Sequence, residues 1–438
     1  MDDGPHHEMT WHPVGGGAEV TLVIETPAGV CIRRIPDALP LPPDTDPGTG
    51  AEIATHTAAA AWGLPDFVFH PSIAEKKSGR RELGDRLVLA GSRGAVVQVK
   101  CRTVAPKADD GERKWINKNI SKGMRQAKGT VRTLRLAPAD LANGRGRTMT
   151  VSGDTFEWIA VVVVDHPLVP DDTTPTWEPT GMPSIALTRR DWDFLFNQLR
   201  STTAVLDYLF RAATDPGITL GGEPLRYYEL AADDAEAESA TIDTDLVGDG
   251  GTHWSAPRLP QAPAGWDDTR AHLMTRIMLE DIATSPLPAG ASEADRHLLL
   301  SDLDALPVSA RTEWGQLLLQ MLDEVQDVEE GSRMWRFRRM LDPDGKQQLI
   351  TGCSTRSDRL AREAFRSYVQ LRHHEVSERT GRTTGTSTFG VLLTPLADGE
   401  HPWDTTCLRI SGPSDLDPDE LARYQTLWNR QPAPDARS

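Results

Sequence analysis

The amino-acid sequence predicts an α/β domain followed by a mainly helical region. Short strand-like runs alternate with longer helical patterns in the first half, whereas helical spacing dominates the second half. The length of 438 residues provides for two or three domains. With 38% hydrophobic and 25% charged residues, the composition is that of a globular protein. No apolar run approaches the roughly 20 residues of a membrane helix, so we expect no membrane partner.

Composition and periodicity divide the chain into five segments. Residues 1–45 are rich in Gly, Pro and Asp and form an N-terminal extension that we expect to be partly disordered. The α/β domain spans 46–167, and a helical segment, 168–230, packs on that domain or leads away from it. An acidic linker, 231–265, precedes a mainly helical C-terminal domain, 266–438, which carries no catalytic motif. Binding of a protein partner is one role open to this last domain.

The first elements follow from local patterns. Apolar residues at alternate positions predict a strand at 19–25, and an alanine-rich run ended by a glycine predicts a helix at 51–62. A short apolar strand at 67–69 follows. The β-branched runs 86–90 and 95–99 are separated by glycines and a serine, so they predict a β-hairpin.

A long basic helix and a buried strand complete the domain. Basic residues recur along the helical stretch 114–134, and the β-branched run 156–164 is typical of a strand buried on both faces. The region beyond begins with a helix at 191–213. Further helices are predicted at 269–282, 292–303, 312–325 and 358–376, and further strands at 347–351 and 388–393.

The predicted hairpin brings polar side chains together. If Gly91–Gly94 forms a four-residue loop, Leu87 faces Gln98 and Asp85 faces Lys100 across the two strands. Gln98 and Lys100 are two residues apart, so they share one face of the sheet. A register shift of one residue would place Asp85 and Lys100 on opposite faces.

This group of side chains suits phosphodiester chemistry. Asp85 can bind Mg²⁺ or Mn²⁺, which prefer oxygen ligands, and Gln98 can add its carbonyl oxygen. Lys100 can help to deprotonate a metal-bound water and can offset negative charge on the phosphate. The alternative is a cross-strand salt bridge on the surface, which contributes only about 0–1 kcal/mol to stability.

The order of elements and residues resembles a known group of enzymes. A helix with Glu52 is followed by the strand 67–69, a strand with Asp85, a strand with Gln98-Val99-Lys100 and a basic helix with Gln126. This order is similar to that of the PD-(D/E)xK nuclease superfamily, which has the restriction-endonuclease-like fold. The QxK form of the third motif resembles the Mrr-type and nuclease-related branches. The resemblance covers about a quarter of the chain and implies a mixed sheet flanked by helices.

The resemblance implies a role for each matching residue. Asp85 matches the metal-binding aspartate, Gln98 the second acidic position and Lys100 the catalytic lysine. Glu52 matches a helix glutamate that supports the metal, and Gln126 corresponds to a helix residue near the phosphate in some branches.

Two positions depart from the pattern of the superfamily. Gln98 replaces a carboxylate by a neutral amide, which weakens metal binding unless Glu52 or Glu82 compensates. Gly84 stands where the name of the superfamily expects a proline before the aspartate. The first departure is compatible with a domain that binds its partner without cleaving it.

Charge is unevenly distributed along the chain. The net charge of −17, taken alone, disfavours a nucleic-acid partner. Residues 71–147, however, contain 19 Lys and Arg against 7 Asp and Glu, a balance of +12, so the rest carries −29. Cations recur every three or four residues on one stripe of the predicted helix, which suits a phosphate backbone; the alternative is a solvated face without a partner. The candidate nucleic-acid-binding residues are Lys114, Lys118, Lys122, Arg125, Gln126, Lys128 and Arg132.

Together, these features predict a metal-dependent endonuclease that hydrolyses phosphodiester bonds of DNA, in defence or in DNA maintenance. The expected cofactor is Mg²⁺ or Mn²⁺. Two alternatives are an inactive module that keeps the fold and binds nucleic acid or a protein partner, and an RNA nuclease. The four cysteines form no CxxC pair and the N-terminus has no signal-peptide pattern, so we expect a cytoplasmic location.

Overall fold

Two units, grouped by their internal contacts, make up the fold. The structure is a computed structural model. It describes residues 9–13, 20–26, 29–70, 73–76, 79–82, 86–215, 217–236, 251–253, 259–326, 334–342, 346–382, 384–395 and 403–428. The first unit comprises residues 1–237, 258–264 and 286–308, and the second comprises 238–257, 265–285 and 309–438.

Helices and strands alternate along the described part of the chain. The helices are α1 (Pro47–Trp62), α2 (Asp109–Leu136), α3 (Arg189–Leu199), α4 (Thr202–Ala212), α5 (Glu223–Glu236), α6 (Trp266–Thr284), α7 (Glu293–Asp304), α8 (Val308–Gln326), α9 (Arg359–Arg379) and α10 (Pro418–Trp428). The strands are β1 (Met9–Pro13), β2 (Val20–Thr26), β3 (Gly29–Ile35), β4 (Val68–His70), β5 (Ile73–Lys76), β6 (Gly79–Glu82), β7 (Arg86–Ala90), β8 (Arg93–Cys101), β9 (Ala139–Asn143), β10 (Thr148–Val151), β11 (Glu157–Asp165), β12 (Ser184–Thr188), β13 (Gly251–His253), β14 (Trp335–Leu341), β15 (Gln347–Ser354), β16 (Ser387–Pro395) and β17 (Trp403–Ser411). None of the helices within the described ranges combines the length and the apolar character needed to cross a membrane.

The N-terminal extension contains a small sheet. β1, β2 and β3 pair antiparallel in sequence order. Val20, Leu22 and Ile24, at alternate positions of β2, are buried, as is Ile35 of β3. Apolar residues at every second position favour a strand with one buried face. We predicted one strand in a partly disordered segment, whereas the structure forms three paired strands there.

A seven-stranded mixed sheet forms the centre of the first unit. Its strand order is β10-β9-β4-β7-β8-β11-β12. β7 is antiparallel to both β4 and β8, whereas β8, β11 and β12 run parallel. The parallel step from β8 to β11 needs a long crossover connection, which α2 supplies. The predicted mixed α/β class is therefore confirmed for this unit.

Helix α2 covers one face of the central sheet. Its buried apolar side chains recur at intervals of three and four residues, as the apolar pattern predicts, and pack on β7, β8 and β11. They are Ile116, Ile120, Met124, Ala127, Val131 and Leu134. Gly123 permits the close approach, because a Cβ at this position would lie 2.7 Å from Val162 Cγ2 of β11.

Helices α1 and α3 cover the opposite face. Arg86 of β7 donates from Nε to Nδ1 of His56 in α1 at 3.2 Å. Because side chains alternate along a strand, Arg86 points away from the core under α2, which contains Leu87. Trp192 of α3 donates from Nε1 to the carbonyl of Thr55 in α1 at 2.8 Å, which holds the two helices together.

The single helix predicted at 191–213 is two helices. α3 ends at Leu199, and the φ of 55° at its C-cap, Arg200, lies in the left-handed region. Ser201 then caps α4, because its Oγ accepts from the amide of Ala204 at 3.1 Å. The same hydroxyl donates to the carbonyl of Asp304 at 2.8 Å. This contact ties α7 to the first unit, whereas we assigned α7 to the C-terminal domain from sequence.

A five-stranded sheet forms the centre of the second unit. Its strand order is β13-β14-β15-β16-β17. β15 and β16 are parallel and connected through α9, and β14 and β17 pair antiparallel on either side. The prediction of a mainly helical region is therefore incomplete, since a mixed sheet organises this unit. β14 (WRFRRML) and β17 (WDTTCLRIS) were missed because their arginine, threonine and aspartate residues mask the strand pattern.

The second unit repeats part of the topology of the first. In each unit an antiparallel strand pair leads into a helix and later into a parallel strand, as β7-β8-α2-β11 and as β14-β15-α9-β16, with the β9-β10 pair inserted between α2 and β11 in the first unit. Ile350 of β15 packs with Phe365 and Val369 of α9. Gln348 lies on the same row, because its Nε2 donates to the carbonyl of Arg372 in α9 at 2.9 Å. In both units, therefore, the helix covers the strand that precedes it.

Candidate functional site

Gln98 and Lys100 form a polar pair on the α2 face of β8. They follow Val96, a residue of the core under α2, at intervals of two residues, so the three side chains share a face. A Cβ at Gly123 of α2 would lie 3.4 Å from Gln98 Cβ. Lys100 Nζ donates to Gln98 Oε1 at 3.3 Å. The two side chains thus meet directly beneath the helix.

The β7–β8 hairpin has a different register from the predicted one. The turn consists of only Gly91 and Ser92. Gly91 adopts a φ of 57°, the positive value that two-residue hairpin turns require at this position. Leu87 consequently faces Val96 and not Gln98. The predicted register was wrong by two residues, a shift that leaves each side chain on its predicted face.

Gly94 explains the difference in register. We predicted it as a loop residue, but it lies within β8. A Cβ at this position would lie 2.8 Å from the ring of Trp158 and 2.9 Å from Leu89. The glycine therefore serves close packing between strands, which the sequence pattern cannot distinguish from a turn.

The side-chain amide of Gln98 is buried, and only one of its two polar atoms has a hydrogen-bond partner in the described residues. The residue has no exposed surface. Its Oε1 accepts from Lys100, whereas its Nε2 has no hydrogen-bond partner in the described part of the chain. A buried donor without a partner costs about 1–3 kcal/mol, so stability alone would favour an apolar residue here. A costly polar group in a core is typical of a functional position.

A buried charged cluster continues the row beyond Lys100. Arg102 donates from Nε and Nη2 to the two carboxylate oxygens of Glu112 at 2.8 and 2.9 Å. Glu112, in the first turn of α2, also accepts from the amide of Lys107 at 2.7 Å. Nε2 of His166 lies 2.8 Å from Glu112 Oε2. This cluster fixes the start of α2 against the ends of β8 and β11.

The contacts determine the protonation states in this cluster. Hydrogen bonds from the Arg102 guanidinium are the main reason that the pKa of Glu112 is lowered to about 2. His166 Nδ1 accepts from the amide of Leu168 at 3.1 Å, so Nε2 carries the proton and donates to Glu112. The Glu112 carboxylate therefore accepts four hydrogen bonds, one for each lone pair of its two oxygens. It holds its neighbours in position and has no lone pair to offer a metal ion.

Glu52 comes from the opposite face of the sheet. It is half-buried on α1, one turn before His56. The ring of His56 lies edge-on to that of His70, with centroids 5.0 Å apart, and accepts from Arg86, the residue after Asp85. Burial lowers the pKa of His56 to about 4 and also lowers the pKa of His70. Both rings are therefore neutral near pH 7.

The described residues alone do not fit a magnesium ion. Within them, no group of three or more His, Cys, Asp or Glu side chains is arranged to hold a metal ion. Asp85, the main predicted ligand, lies outside the described residues, and so does the side chain of Glu82. The carbonyl oxygen of Gln98 is engaged by the ammonium group of Lys100, which disfavours a second cation at that oxygen. A magnesium site here would require Asp85 in addition to the described residues.

The predicted nucleic-acid-binding residues lie on the outer side of α2. All seven side chains are exposed: Lys114, Lys118, Lys122, Arg125, Gln126, Lys128 and Arg132. Gly123 and the apolar side chains occupy the inner side, against the sheet. The helix itself thus separates the basic stripe from Gln98 and Lys100. We expected the stripe to lie beside the candidate pair.

Several polar residues near the pair were missed from sequence. Arg102 continues the alternate positions 98 and 100, and Glu112 is an acid at the start of a basic helix, so both signals were present. His56 and His70 offered no signal, because only the packing of α1 on the sheet brings their rings together.

Comparison of the chain with protein-family models, with curated proteins and with solved structures gives no match. The candidate site therefore rests on its own geometry.

Proposed function

We propose that the first unit is a metal-dependent nuclease of the restriction-endonuclease-like fold that hydrolyses phosphodiester bonds of DNA. The observation that carries the proposal is the hydrogen-bonded pair of Gln98 and Lys100 on β8. The pair lowers the stability of the fold, because Nε2 of Gln98 is buried in the core without a hydrogen-bond partner in the described residues. An apolar residue at position 98 would pack equally well.

The order of elements supports this proposal. α1 leads to β4, β7 and β8, then α2 follows, and β11 returns parallel to β8. A helix, three strands of one mixed sheet and a basic helix are what the resemblance to PD-(D/E)xK nucleases implies. Gln98 and Lys100 lie on the third of these strands, where the resemblance requires the QxK motif.

Lys100 supplies the charge that the reaction needs. Its side chain is half-buried, and Nζ donates to Gln98 Oε1 at 3.3 Å, which fixes its position on β8. A fixed ammonium group beside a phosphodiester offsets the negative charge that develops when water attacks phosphorus. The cluster of Arg102, Glu112 and His166 holds the end of β8 and so limits the movement of Lys100.

The proposed metal ion is Mg²⁺ or Mn²⁺, with Asp85 as its main ligand. When bound, such an ion polarises the phosphate and lowers the pKa of a bound water. Glu52, Glu82 and Gln98 are the further ligands that the resemblance implies. Only the roles of Lys100 and Gln98 follow from the geometry, whereas those of Glu52, Glu82 and Asp85 follow from the resemblance.

Cleavage by the purified full chain tests the proposal. Duplex DNA, single-stranded DNA and RNA are each incubated with Mg²⁺, with Mn²⁺ and with EDTA. The wild type is expected to cut DNA only with metal, and Asp85→Ala and Lys100→Ala to cut at least about 100-fold more slowly. Cleavage that persists in both variants would refute the assignment. Cutting of RNA alone would replace DNA by RNA as the substrate.

One observation favours a second function, that of an inactive nucleic-acid-binding or partner-binding module. The position that an acidic residue occupies in the superfamily is the neutral Gln98, and its oxygen is already engaged by Lys100. Such a module predicts no change in melting temperature on addition of Mg²⁺. A rise in melting temperature with Mg²⁺ that Asp85→Asn abolishes would count against it.

The proposed chemistry belongs to the first unit alone. On β15, the strand of the second unit that precedes its crossover helix, the described helix-facing residues are Gln348, Ile350 and Gly352. None of these three is ionisable, so the row offers no counterpart to Lys100. Nε2 of Gln348 donates to Thr388 Oγ1 at 2.7 Å as well as to α9, whereas its Oε1 has no partner in the described residues.

A further inference from the structure

The outer face of α2 carries an uninterrupted row of cations. Lys114, Lys118, Lys122, Arg125, Lys128 and Arg132 are exposed and fall within about 120° of the helix circumference at 3.6 residues per turn. The row runs over 19 residues, and the 18 rises of 1.5 Å between its ends give about 27 Å. We call these six residues the α2 basic face.

Beyond its first turn, which contains Asp109, Asp110 and Glu112, helix α2 has no acidic residue beside the basic face. From Arg113 to Ala137 the sequence contains no Asp or Glu. Exposed helices ordinarily alternate charge at positions three and four apart, and like charges at these spacings destabilise a helix. Within the described residues, none of the six cations forms an ion pair, although the neighbouring loop carries the exposed acids Asp171, Asp172 and Glu178. A row of unpaired cations is the arrangement that a polyanion complements.

The basic face and the candidate active site point in opposite directions. Gly123, on the inner side of α2, packs against Val162 and Gln98. A helix with its side chains is about 10–12 Å thick, so this distance separates the cations from the Gln98–Lys100 pair. A phosphate group that contacts the α2 basic face therefore does not contact the Gln98–Lys100 pair at the same time.

We propose that the α2 basic face is a docking surface for the sugar–phosphate backbone of duplex DNA, separate from the Gln98–Lys100 pair. The proposal rests on the proposed function only for the nature of the ligand. A straight row of about 27 Å matches about eight base pairs of a rigid duplex at 3.4 Å per pair. The face offers no aromatic platform for unstacked bases, because Trp115 is half-buried against His166 and Arg102. Binding is thus independent of base sequence.

Fluorescence anisotropy with the full chain tests this surface. A fluorescein-labelled duplex of about 20 base pairs is titrated in EDTA over 50–300 mM KCl, so that binding is measured without cleavage. The test variant is Lys118→Gln with Lys122→Gln and Arg125→Gln. The matched control is Arg359→Gln with Arg362→Gln and Arg366→Gln, which removes three exposed cations from one face of α9.

The α2 variant is expected to bind at least about tenfold more weakly at 100 mM KCl. The slope of log K against log salt is expected to fall by about 2–3, since each lost phosphate contact removes about 0.9 from it. The α9 control should bind within about twofold of the wild type. Wild-type binding with this pattern but without any cleavage would overturn the nuclease proposal and leave the docking surface standing.

Three results would overturn the docking surface. The first is a wild type that does not bind the duplex at 50 mM KCl. The second is an α2 variant that binds as the wild type does, or an α9 control that loses as much. The third is an α2 variant whose slope of log K against log salt equals that of the wild type. Circular dichroism confirms that each variant keeps its helix content.

Discussion

Gln98→Leu is expected to stabilise the first unit and at the same time to abolish nuclease activity. Leucine has a similar volume to glutamine and fits a position that is fully buried between β8 and α2. The substitution removes a donor, Nε2, that has no partner in the described structure. It also removes the acceptor that holds Lys100 Nζ. Stability and activity should therefore change in opposite directions.

The magnitude follows from the two groups that change. Removing a buried, unsatisfied amide donor gains about 1–3 kcal/mol. The lost hydrogen bond to Lys100 costs about 1 kcal/mol or less, because that half-buried ammonium group regains water. The free energy of unfolding of the first unit should thus rise by about 1 kcal/mol.

Gln348 provides a matched control in the second unit. It is also fully buried on a strand that precedes a crossover helix, but its Nε2 donates to Thr388 Oγ1 at 2.7 Å and to the carbonyl of Arg372 at 2.9 Å. Gln348→Leu removes both of these hydrogen bonds, although Thr388 Oγ1 keeps its contact with His373 Nδ1 at 2.9 Å. Two hydrogen bonds are lost, and one oxygen without a partner in the described residues, Oε1, is removed, so the free energy of unfolding of the second unit should not rise.

Urea denaturation, followed by circular dichroism and tryptophan fluorescence, measures both changes. The transitions of the two units are fitted separately, since a chain of two units need not unfold in one step. The DNA-cleavage rate of Gln98→Leu is measured on the same preparations. A destabilisation of 1 kcal/mol or more by Gln98→Leu would refute the reasoning, because it would mean that the amide is a satisfied structural group.

Two further substitutions test the packing and the charges around the pair. Gly123→Ala should destabilise the first unit by about 1–3 kcal/mol in urea denaturation, because its Cβ would lie 2.7 Å from Val162 Cγ2. Gly111→Ala, at an exposed position in the same helix, should be neutral or stabilising. Equal stability of the two variants would contradict the close packing of α2 on β11. Glu112 has a pKa lowered from its ordinary value of 4.5 to about 2, chiefly by Arg102, so it stabilises the fold fully above about pH 4.5 and loses that effect as the pH falls towards 2. The difference in unfolding free energy between the wild type and Glu112→Gln, measured across this range, should therefore shrink with falling pH, and a constant difference would argue against the ionised cluster.

Elements with strong periodicity could be predicted from the sequence. The apolar residues of α2 repeat at helical spacing, and the β-branched run of β11 can hardly form anything but a buried strand. The pairing of Gln98 with Lys100 follows from their two-residue spacing alone. These features depend on residues that are close in sequence.

The register of the hairpin could not be predicted in this way. The sequence does not distinguish whether Gly91, Gly94 or both lie in the turn. The ring of Trp158, 64 positions after Gly94, packs where a side chain at position 94 would lie, so Gly94 belongs to a strand. In the same way, β14 and β17 carry polar residues on a sheet whose partners are distant in sequence. Long-range packing, which local patterns do not encode, decided these cases.

The orientation of the basic stripe could have been predicted in full. The stripe of Lys114 and Lys118 lies on the face of α2 opposite to the apolar stripe that contains Ile116 and Ile120. Since the apolar stripe must pack on the sheet, the cations must point away from it and from Gln98. We placed the stripe beside the candidate site because both lie in one basic segment, and proximity in sequence was the wrong guide.

The central claim, that Lys100 acts on a phosphodiester, is tested most directly by one comparison of cleavage rates. Lys100→Ala and Lys107→Ala each remove one ammonium group, the first on the candidate pair and the second at an exposed position a few residues beyond β8. Single-turnover cleavage of duplex DNA with Mg²⁺ is measured for both at saturating enzyme. We predict a loss of about 100-fold or more for Lys100→Ala and less than about threefold for Lys107→Ala. Equal rates in the two variants would contradict the claim.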